Sequence, residues 1–153
     1  MSFVQTFTRI ARQPTLRSTL TMSSRSLATI TPVATKNAPP AAASYSQAIK
    51  ANNFVYVSGQ VPFTPEGKAV TGSISEQAEQ VFSNLKAILE EAGSGLDRAV
   101  KVNVFLTDIN DFAEFNVVYA KYFNVHKPAR SCVAVKALPL GAALEVEAIA
   151  LEN

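Results

Sequence analysis

The chain of 153 residues contains one cysteine, one histidine and no tryptophan. Because Cys132 is the only cysteine, no disulfide can form within the chain, as is usual for proteins of reducing compartments. A metal site built from several histidines and cysteines is excluded because the chain has only one residue of each type. A Ser-His-Asp or Cys-His arrangement would depend on His126, which stands in a loop beside lysine and proline. No long apolar run occurs, so neither a secretory signal nor a membrane-spanning helix is predicted.

Acidic residues are missing from the N-terminal part of the chain, where the first one is Glu66. Four arginines and many serines and threonines occupy residues 1–28; the arginines are Arg9, Arg12, Arg17 and Arg25. This composition is typical of a mitochondrial transit peptide. We therefore predict a transit peptide over residues 1–28, a single domain over residues 29–153 and a location in the mitochondrial matrix. The alternative is a disordered tail without a targeting role.

The formal charge of +2 depends on those four arginines. Without them, ten basic residues stand against twelve acidic ones, which gives a formal charge of −2. The basic balance of the whole chain is therefore no sign of nucleic-acid binding, and we expect no nucleic-acid or membrane partner.

Hydrophobic periodicity predicts two helices among short strands. Ser73-Ile-Ser-Glu76 forms a capping box before an apolar stripe, and Gly93 is typical of a helix end. A second helix is predicted over residues 111–124. Strands are predicted over residues 30–35, 54–60, 99–107, 130–137 and 143–151, with an extended linker at 37–43 and a hairpin or loop at 64–72. This order indicates an α+β fold, a mixed sheet with both helices packed on one face.

Charged residues interrupt the last two predicted strands. Arg130 begins the first of them, and Glu145 and Glu147 share one face of the second. A guanidinium group matches both oxygens of a carboxylate, and a nearby carboxylate can orient a water or move a proton. If both strands belong to one sheet, these groups can face a common space and form a site for a small acid. The alternatives are a surface arginine or an ion pair with a glutamate, and a pairing of one glutamate with Lys101 or Lys136.

Four short motifs resemble those of the reactive intermediate deaminase (RidA/YjgF) family. They are Tyr45-Ser-Gln47, Val57-Ser-Gly-Gln-Val-Pro62, Pro128-Ala-Arg-Ser-Cys-Val133 and Leu144-Glu-Val-Glu-Ala-Ile149. Each motif is weak alone, but their order and spacing are specific, and together they extend over residues 31–151. With the N-terminal composition, the chain resembles the fungal mitochondrial matrix factor branch of that family.

The resemblance implies a chorismate-mutase-like fold assembled as a homotrimer with sites between subunits. It also implies hydrolysis of reactive 2-enamine and 2-imine acids, such as 2-aminoacrylate and 2-iminobutyrate, to 2-keto acids and ammonia. No metal or cofactor is implied. Such imines are released by the pyridoxal-phosphate-dependent threonine and serine dehydratases, so the implied role is to protect mitochondrial metabolism from them.

The resemblance further implies the site residues. Arg130 would grip the substrate carboxylate and Glu145 would position the hydrolytic water, with Glu147 in a supporting or structural role. The implied substrate contacts are Tyr45, Ser58, Gly59, Asn116 and Cys132. Cys132 would line the pocket with its backbone, because no neighbouring group in the sequence favours a nucleophilic thiolate. Ser58-Gly59 could equally be a simple strand bulge, and Asn116 could be an exposed helix residue.

Two other functions remain open at this point. A non-catalytic trimer that binds keto acids and regulates partner enzymes would use Arg130 equally well, but it would not need Glu145. An RNA-directed activity, with which some relatives of the family are credited, is disfavoured because the chain after residue 28 has no basic cluster. Many family members have Gly-Pro before the tyrosine of the first motif, whereas this chain has Ala43-Ser44, so the loop before Tyr45 is expected to differ.

Overall fold

The structure is a computed structural model that describes residues 29–153. The predicted transit peptide lies outside the described residues. This part of the chain contains six strands: β1 (Thr31–Val33), β2 (Ala48–Ala51), β3 (Phe54–Gln60), β4 (Ala99–Leu106), β5 (Ala129–Ala134) and β6 (Leu144–Leu151). Its two α-helices are α1 (Ile74–Glu91) and α2 (Phe112–Tyr122). Among these residues, no helix is both long enough and apolar enough to cross a membrane.

All six strands form one sheet in the order β1-β2-β3-β6-β4-β5. Only the β4–β5 pair is parallel, and the other neighbours are antiparallel. The predicted α+β fold with a mixed sheet is therefore confirmed. Strand β2 is missing from the sequence prediction because four residues are too few for a clear alternation. Its signal is the turn Asn52-Asn53, since both asparagines have positive φ (51° and 65°), as a tight two-residue hairpin requires.

Helix α1 begins with the predicted capping box. The Glu76 amide donates to the Ser73 hydroxyl (3.2 Å), and the Ser73 amide donates to the Glu76 carboxylate (2.7 Å). The apolar stripe of the helix packs against β3 and β6. The helix ends before Gly93, whose φ of 75° suits a residue without a side chain.

Helix α2 packs on α1 through aromatic side chains. Phe82 of α1 stacks on Tyr122 with 4.7 Å between the ring centroids. The carboxylate of Glu79 accepts hydrogen bonds from the Tyr122 hydroxyl (2.5 Å) and the Lys121 ammonium (2.6 Å). Burial, with that hydrogen bond to Glu79, raises the pKa of Tyr122 to about 12. These contacts fix the second helix relative to the first.

The register of the sheet assigns its side chains to two faces, because directly paired residues point the same way. The helix face contains the buried residues Val55, Val57, Val102, Val104, Val146 and Ala148. The opposite face, which we call the bare face, carries Phe54, Tyr56, Phe105, Val133 and Ile149, and Tyr56 is 45% exposed. The core therefore lies between sheet and helices, and no described element covers the bare face.

Candidate functional site

Arg130 lies on the edge strand β5, where it pairs with Val102 of β4. Its side chain is on the helix face and contacts α2. One guanidinium nitrogen, Nη1, donates to Oδ1 of Asn116 (2.8 Å). The guanidinium carbon lies 4.4 Å from the ring centroid of Tyr119 and 5.5 Å from that of Phe112. The side-chain amide of Asn116 fixes the direction of the guanidinium group, and the two aromatic rings fix its distance from the helix.

The guanidinium group retains donors for a ligand. Arginine has five N–H donors, and its hydrogen bond to Asn116 is the one that the structure gives within residues 29–153. Over the same residues, the side-chain ion pairs join Lys50 to Glu152, Lys86 to Glu90 and Lys121 to Glu79, and none involves Arg130. A groove of about 410 Å³ lies beside the guanidinium group, lined by Asn116, Tyr119, Ala120, Phe123, Lys127, Pro128 and Arg130. This groove contains two cations and no acidic side chain, so it suits an anion.

Cys132 follows two residues later on β5 and also lies on the helix face, opposite Val104. Burial raises the pKa of its thiol, and the charge of Arg130 opposes that effect only in part. The thiol is therefore neutral at ordinary pH. A nucleophilic role for the sulfur has no support in this environment.

Glu145 lies on the bare face of β6, paired with Phe105. Its carboxylate lies directly over the backbone of Gly59, and a Cβ atom built on Gly59 would overlap the carboxylate oxygen Oε1. The register of β3 against β6 shifts between Val57 and Gln60, so Ser58-Gly59 is an irregularity of the strand. The interpretation of Ser58-Gly59 as a strand bulge is therefore confirmed, and the irregular strand is where the backbone of Gly59 admits the Glu145 carboxylate.

Glu147 also lies on the bare face, next to Glu145 on the same strand. It accepts a hydrogen bond from Nδ2 of Asn103 (2.8 Å), whereas Lys101 donates to Ser131 (2.8 Å). The suggested pairing of a glutamate with Lys101 is therefore wrong within this chain. Burial raises the pKa of Glu145 above its ordinary value, and the charge of Glu147 raises it further. Glu145 is thus poised to exchange a proton closer to neutral pH than a free carboxylate.

Ser58 and Tyr45 belong to neighbouring segments. The Ser58 hydroxyl donates to the carbonyl of Ser46 (2.7 Å), so its proton is already engaged and its lone pairs remain as acceptors. Tyr45 precedes Ser46 and is half-exposed, and its hydroxyl accepts from the amide of Ala42 (3.3 Å). Gln47, two residues after Tyr45, is buried, and its side chain forms hydrogen bonds with the backbone of Thr35, Ala38 and Pro39. Gln47 therefore holds the loop that leads to Tyr45.

The candidate residues form two groups within one chain. We call Arg130, Asn116 and Cys132 the arginine half-site, and we call Ser58, Gly59 and Glu145 the glutamate half-site. The two half-sites lie on opposite faces of the sheet, because Val102 and Phe105 of β4, their register partners, alternate in direction. The expectation that one sheet would let Arg130 and Glu145 face a common space is therefore wrong for a single chain.

Several residues that support the two half-sites do not stand out by their residue types. Phe112 and Tyr119 have the residue types and the helical spacing of ordinary apolar core, although they contact the guanidinium group. Their spacing is the available signal: Phe112, Asn116 and Tyr119 are four and three residues apart and share one stripe of the helix. Asn103, which holds Glu147, has no such signal before the pairing of β4 with β6 is known.

The chain matches the protein family described as "Endoribonuclease L-PSP" over residues 35–152. It is 68% identical to "Protein MMF1, mitochondrial" of Saccharomyces cerevisiae, over 84% of this chain and 89% of that one. It is 43% identical to the "2-iminobutanoate/2-iminopropanoate deaminase" of Rattus norvegicus, over 79% of this chain and 89% of that one. The crystal structure of yeast Mmf1 superposes with a TM-score of 0.81 at 70% identity, covering 82% of this chain and all of that one.

A domain that matches over nearly its whole length, in sequence and in three-dimensional structure, defines the class. This chain belongs to the RidA/YjgF family, which is the family described as "Endoribonuclease L-PSP". Within the family it belongs with the fungal mitochondrial proteins. The mitochondrial location predicted from the N-terminal composition is confirmed by that relationship.

Proposed function

We propose that this protein is an imine deaminase of the mitochondrial matrix that hydrolyses 2-imino acids and their enamine tautomers to 2-keto acids and ammonia. The observation that carries the proposal is the guanidinium group of Arg130, which is fixed by Asn116 and Tyr119 yet keeps donors for a planar carboxylate. Membership of a family with a relative named as a 2-iminobutanoate/2-iminopropanoate deaminase supports the same reaction.

The active unit in this proposal is a homotrimer with sites between subunits. Two features support assembly. The half-sites lie on opposite faces of the sheet, so only a second copy can bring a glutamate half-site to an arginine half-site. The bare face also exposes large apolar side chains, including Tyr56 and Val133, that a neighbouring subunit would cover.

The proposed mechanism begins with the substrate carboxylate on Arg130, beside the backbone of Cys132. An enamine first gains a proton at C3 and loses one from its nitrogen, which converts it into the imine. Glu145 of a second copy accepts a proton from a water as the water oxygen bonds to C2, and the imine nitrogen gains a proton. The hydroxyl proton of the resulting carbinolamine then passes to the nitrogen as the carbon–nitrogen bond breaks, giving one keto acid and one ammonia for each water consumed. The raised pKa of Glu145 matches this exchange of protons.

Such substrates also hydrolyse in water without a catalyst, so positioning alone gives a useful acceleration. By shortening the lifetime of these imines, the protein would protect pyridoxal-phosphate-dependent enzymes in the same compartment. Its functional partner would then be a threonine or serine dehydratase.

The test couples the protein to a pyridoxal-phosphate-dependent threonine dehydratase acting on threonine or serine, with semicarbazide competing for the released imine. We expect the wild-type protein to speed keto-acid release at the expense of the semicarbazide adduct. Arg130→Ala should lose this effect, whereas Lys136→Ala, which removes an exposed cation after the same strand, should keep it. If the folded wild-type protein gives no acceleration but binds 2-oxobutanoate, the protein is a binding module and the proposal is wrong.

A further inference from the structure

Tyr119 contacts the guanidinium group of Arg130 with the face of its ring, at 4.4 Å between the guanidinium carbon and the ring centroid. The distance is within the range in which a cation is attracted to the negative face of an aromatic ring. Phe112 lies farther from the same group, at 5.5 Å. Tyr119 is therefore the principal aromatic contact of the guanidinium group.

The ring of Tyr119 is itself held by the core. It lies against Phe123 (4.6 Å between centroids), Phe82 (5.9 Å) and Phe115 (6.0 Å). Phe82 belongs to α1, so the contact extends from the first helix through Tyr119 to Arg130. A side chain packed on several sides keeps one orientation, and it can impose that orientation on a group stacked upon it.

The hydroxyl of Tyr119 contributes little to this arrangement. It is buried and has no hydrogen-bond partner within the described part of the chain. Burial raises the pKa of Tyr119, and the charge of Arg130 acts in the opposite direction. The phenol is therefore neutral, and its contact with Arg130 is that of a ring with a cation.

Arg130 needs such support because its side chain is long. A free arginine has many rotamers, and ordering them costs free energy when a ligand binds. The hydrogen bond to Asn116 fixes one edge of the guanidinium plane, but a single bond allows rotation about it. The Tyr119 ring beneath the guanidinium plane restricts that rotation, so the guanidinium donors that do not contact Asn116 keep one direction.

We infer that Tyr119 is a positioning residue for Arg130: the face of its ring, and not its hydroxyl, holds the guanidinium group in the orientation that receives a carboxylate. The identity of that carboxylate, a 2-imino acid or its 2-keto product, rests on the proposed function. The orientation itself rests on the contacts of Arg130 with Asn116 and Tyr119.

The test measures the affinity of the full chain for 2-oxobutanoate by isothermal titration calorimetry, together with KM and kcat in the coupled assay. Four proteins are compared: wild type, Tyr119→Phe, Tyr119→Leu and Tyr122→Leu. Tyr122 is the matched control because it lies on the same helix and stacks on Phe82, but it does not contact Arg130. The thermal midpoint of each variant shows that it is folded at the temperature used.

We expect Tyr119→Leu to weaken 2-oxobutanoate binding about tenfold and to raise KM similarly, an effect between those of an exposed and of a fully desolvated cation–π contact. Tyr119→Phe should bind within about twofold of wild type, since it keeps the ring face. Tyr122→Leu should also bind like wild type, although it loses stability.

Three results would overturn the inference while leaving the proposed function intact: unchanged binding by Tyr119→Leu, equal loss in Tyr119→Phe, or equal loss in Tyr122→Leu. The first would show that Asn116 alone positions Arg130. The second would assign the effect to the hydroxyl, and the third to packing in general. A wild-type protein that binds 2-oxobutanoate without turnover contradicts the deaminase activity, and the affinities of the variants still decide the role of Tyr119.

Discussion

The two half-sites are held in place by opposite means. In the arginine half-site, Arg130 is supported by added side chains: the amide of Asn116 on one edge and an aromatic ring beneath. In the glutamate half-site, Glu145 is admitted by a missing side chain, because its carboxylate occupies the space that a Cβ atom of Gly59 would need. The first half-site is therefore organised by the core of one chain, whereas the second depends on backbone clearance on a face that no described element covers.

In the proposed mechanism, this contrast makes one chain chemically incomplete. The binding cation and the candidate base are each preorganised, but the sheet separates them. Assembly would then act as the step that creates the active site, with no need for either half to move. The following predictions test this division, beginning with the largest expected effect.

The largest effect is expected from mixing two inactive variants. Arg130→Ala lacks the guanidinium group that binds the substrate carboxylate, and Glu145→Ala lacks the candidate base, so each variant alone should show almost no activity. If sites form between copies, refolding an equal mixture should restore about a quarter of the wild-type activity, since one combination in four pairs an intact arginine with an intact glutamate. The coupled deaminase assay on the co-refolded mixture provides the measurement.

Variants refolded separately and then combined provide the control, because stable assemblies exchange subunits slowly. A co-refolded mixture as inactive as its components would show that both residues act within the same chain.

The next largest effect is expected from Gly59→Ala. The new methyl group would displace the Glu145 carboxylate, and a misplacement of about 1 Å can lower a rate about 100-fold. The measurement is kcat, with circular dichroism to verify the fold. The double variant Gly59→Ala/Glu145→Ala serves as the control. It should be no slower than Glu145→Ala, because Gly59 acts through that carboxylate, and multiplicative losses would contradict this connection.

A smaller effect, on stability, is expected from Gln47→Leu. The substitution leaves backbone groups of Thr35, Ala38 and Pro39 without their buried partner. We expect the free energy of unfolding to fall by about 2 to 3 kcal/mol, the cost of unpaired buried polar groups. Urea denaturation measures the change. Gln77→Leu, which removes a single hydrogen bond at an exposed site, is the matched control and should change stability by about 0.5 kcal/mol or less.

If Gln47→Leu and Gln77→Leu cost the same, the Gln47 bonds do not hold the loop as described. If Gln47→Leu also raises KM, the loop before Tyr45 contributes to the site as well as to the fold.

The smallest effect is expected in the pH dependence of the reaction. The base must be ionised, so activity should rise with pH as Glu145 loses its proton. Burial is the first cause of its raised pKa and the charge of Glu147 the second. Glu147→Gln removes the second cause, lowers the pKa of Glu145 and should move the acidic limb of the kcat/KM profile to lower pH. An unmoved limb would show that another group titrates, and a shift to higher pH would contradict the repulsion between the two carboxylates.

The sequence predicts the elements of this fold more fully than the positions of its side chains. The capping box at Ser73 and the stripe of α1 predict that helix almost to the residue, because each depends on local spacing. Strand β2 escapes prediction because a strand of four residues is defined by its neighbours β1 and β3 and by the Asn52-Asn53 turn. Local sequence patterns therefore predict the longer elements, whereas a short strand can be assigned only when its pairing partners are known.

The candidate site divides in the same way. Alternation along β6 correctly places Glu145 and Glu147 on one face. That Arg130 lies on the other face depends on the parallel register of β5 against β4, with Val102 opposite Arg130, which no local pattern determines. The aromatic contact of Tyr119 likewise looks like ordinary core until β5 is placed beside α2.

The close contact between position 59 and the carboxylate has an evolutionary consequence. If the reaction requires the Glu145 carboxylate in its present position, as proposed, a side chain at position 59 is selected against, since even a methyl group would displace that carboxylate. A lineage that lost the glutamate would lose that constraint, and its glycine would be free to drift. Among descendants of a common ancestor, the two residues should therefore persist together or disappear in a fixed order, the acid first and the glycine afterwards.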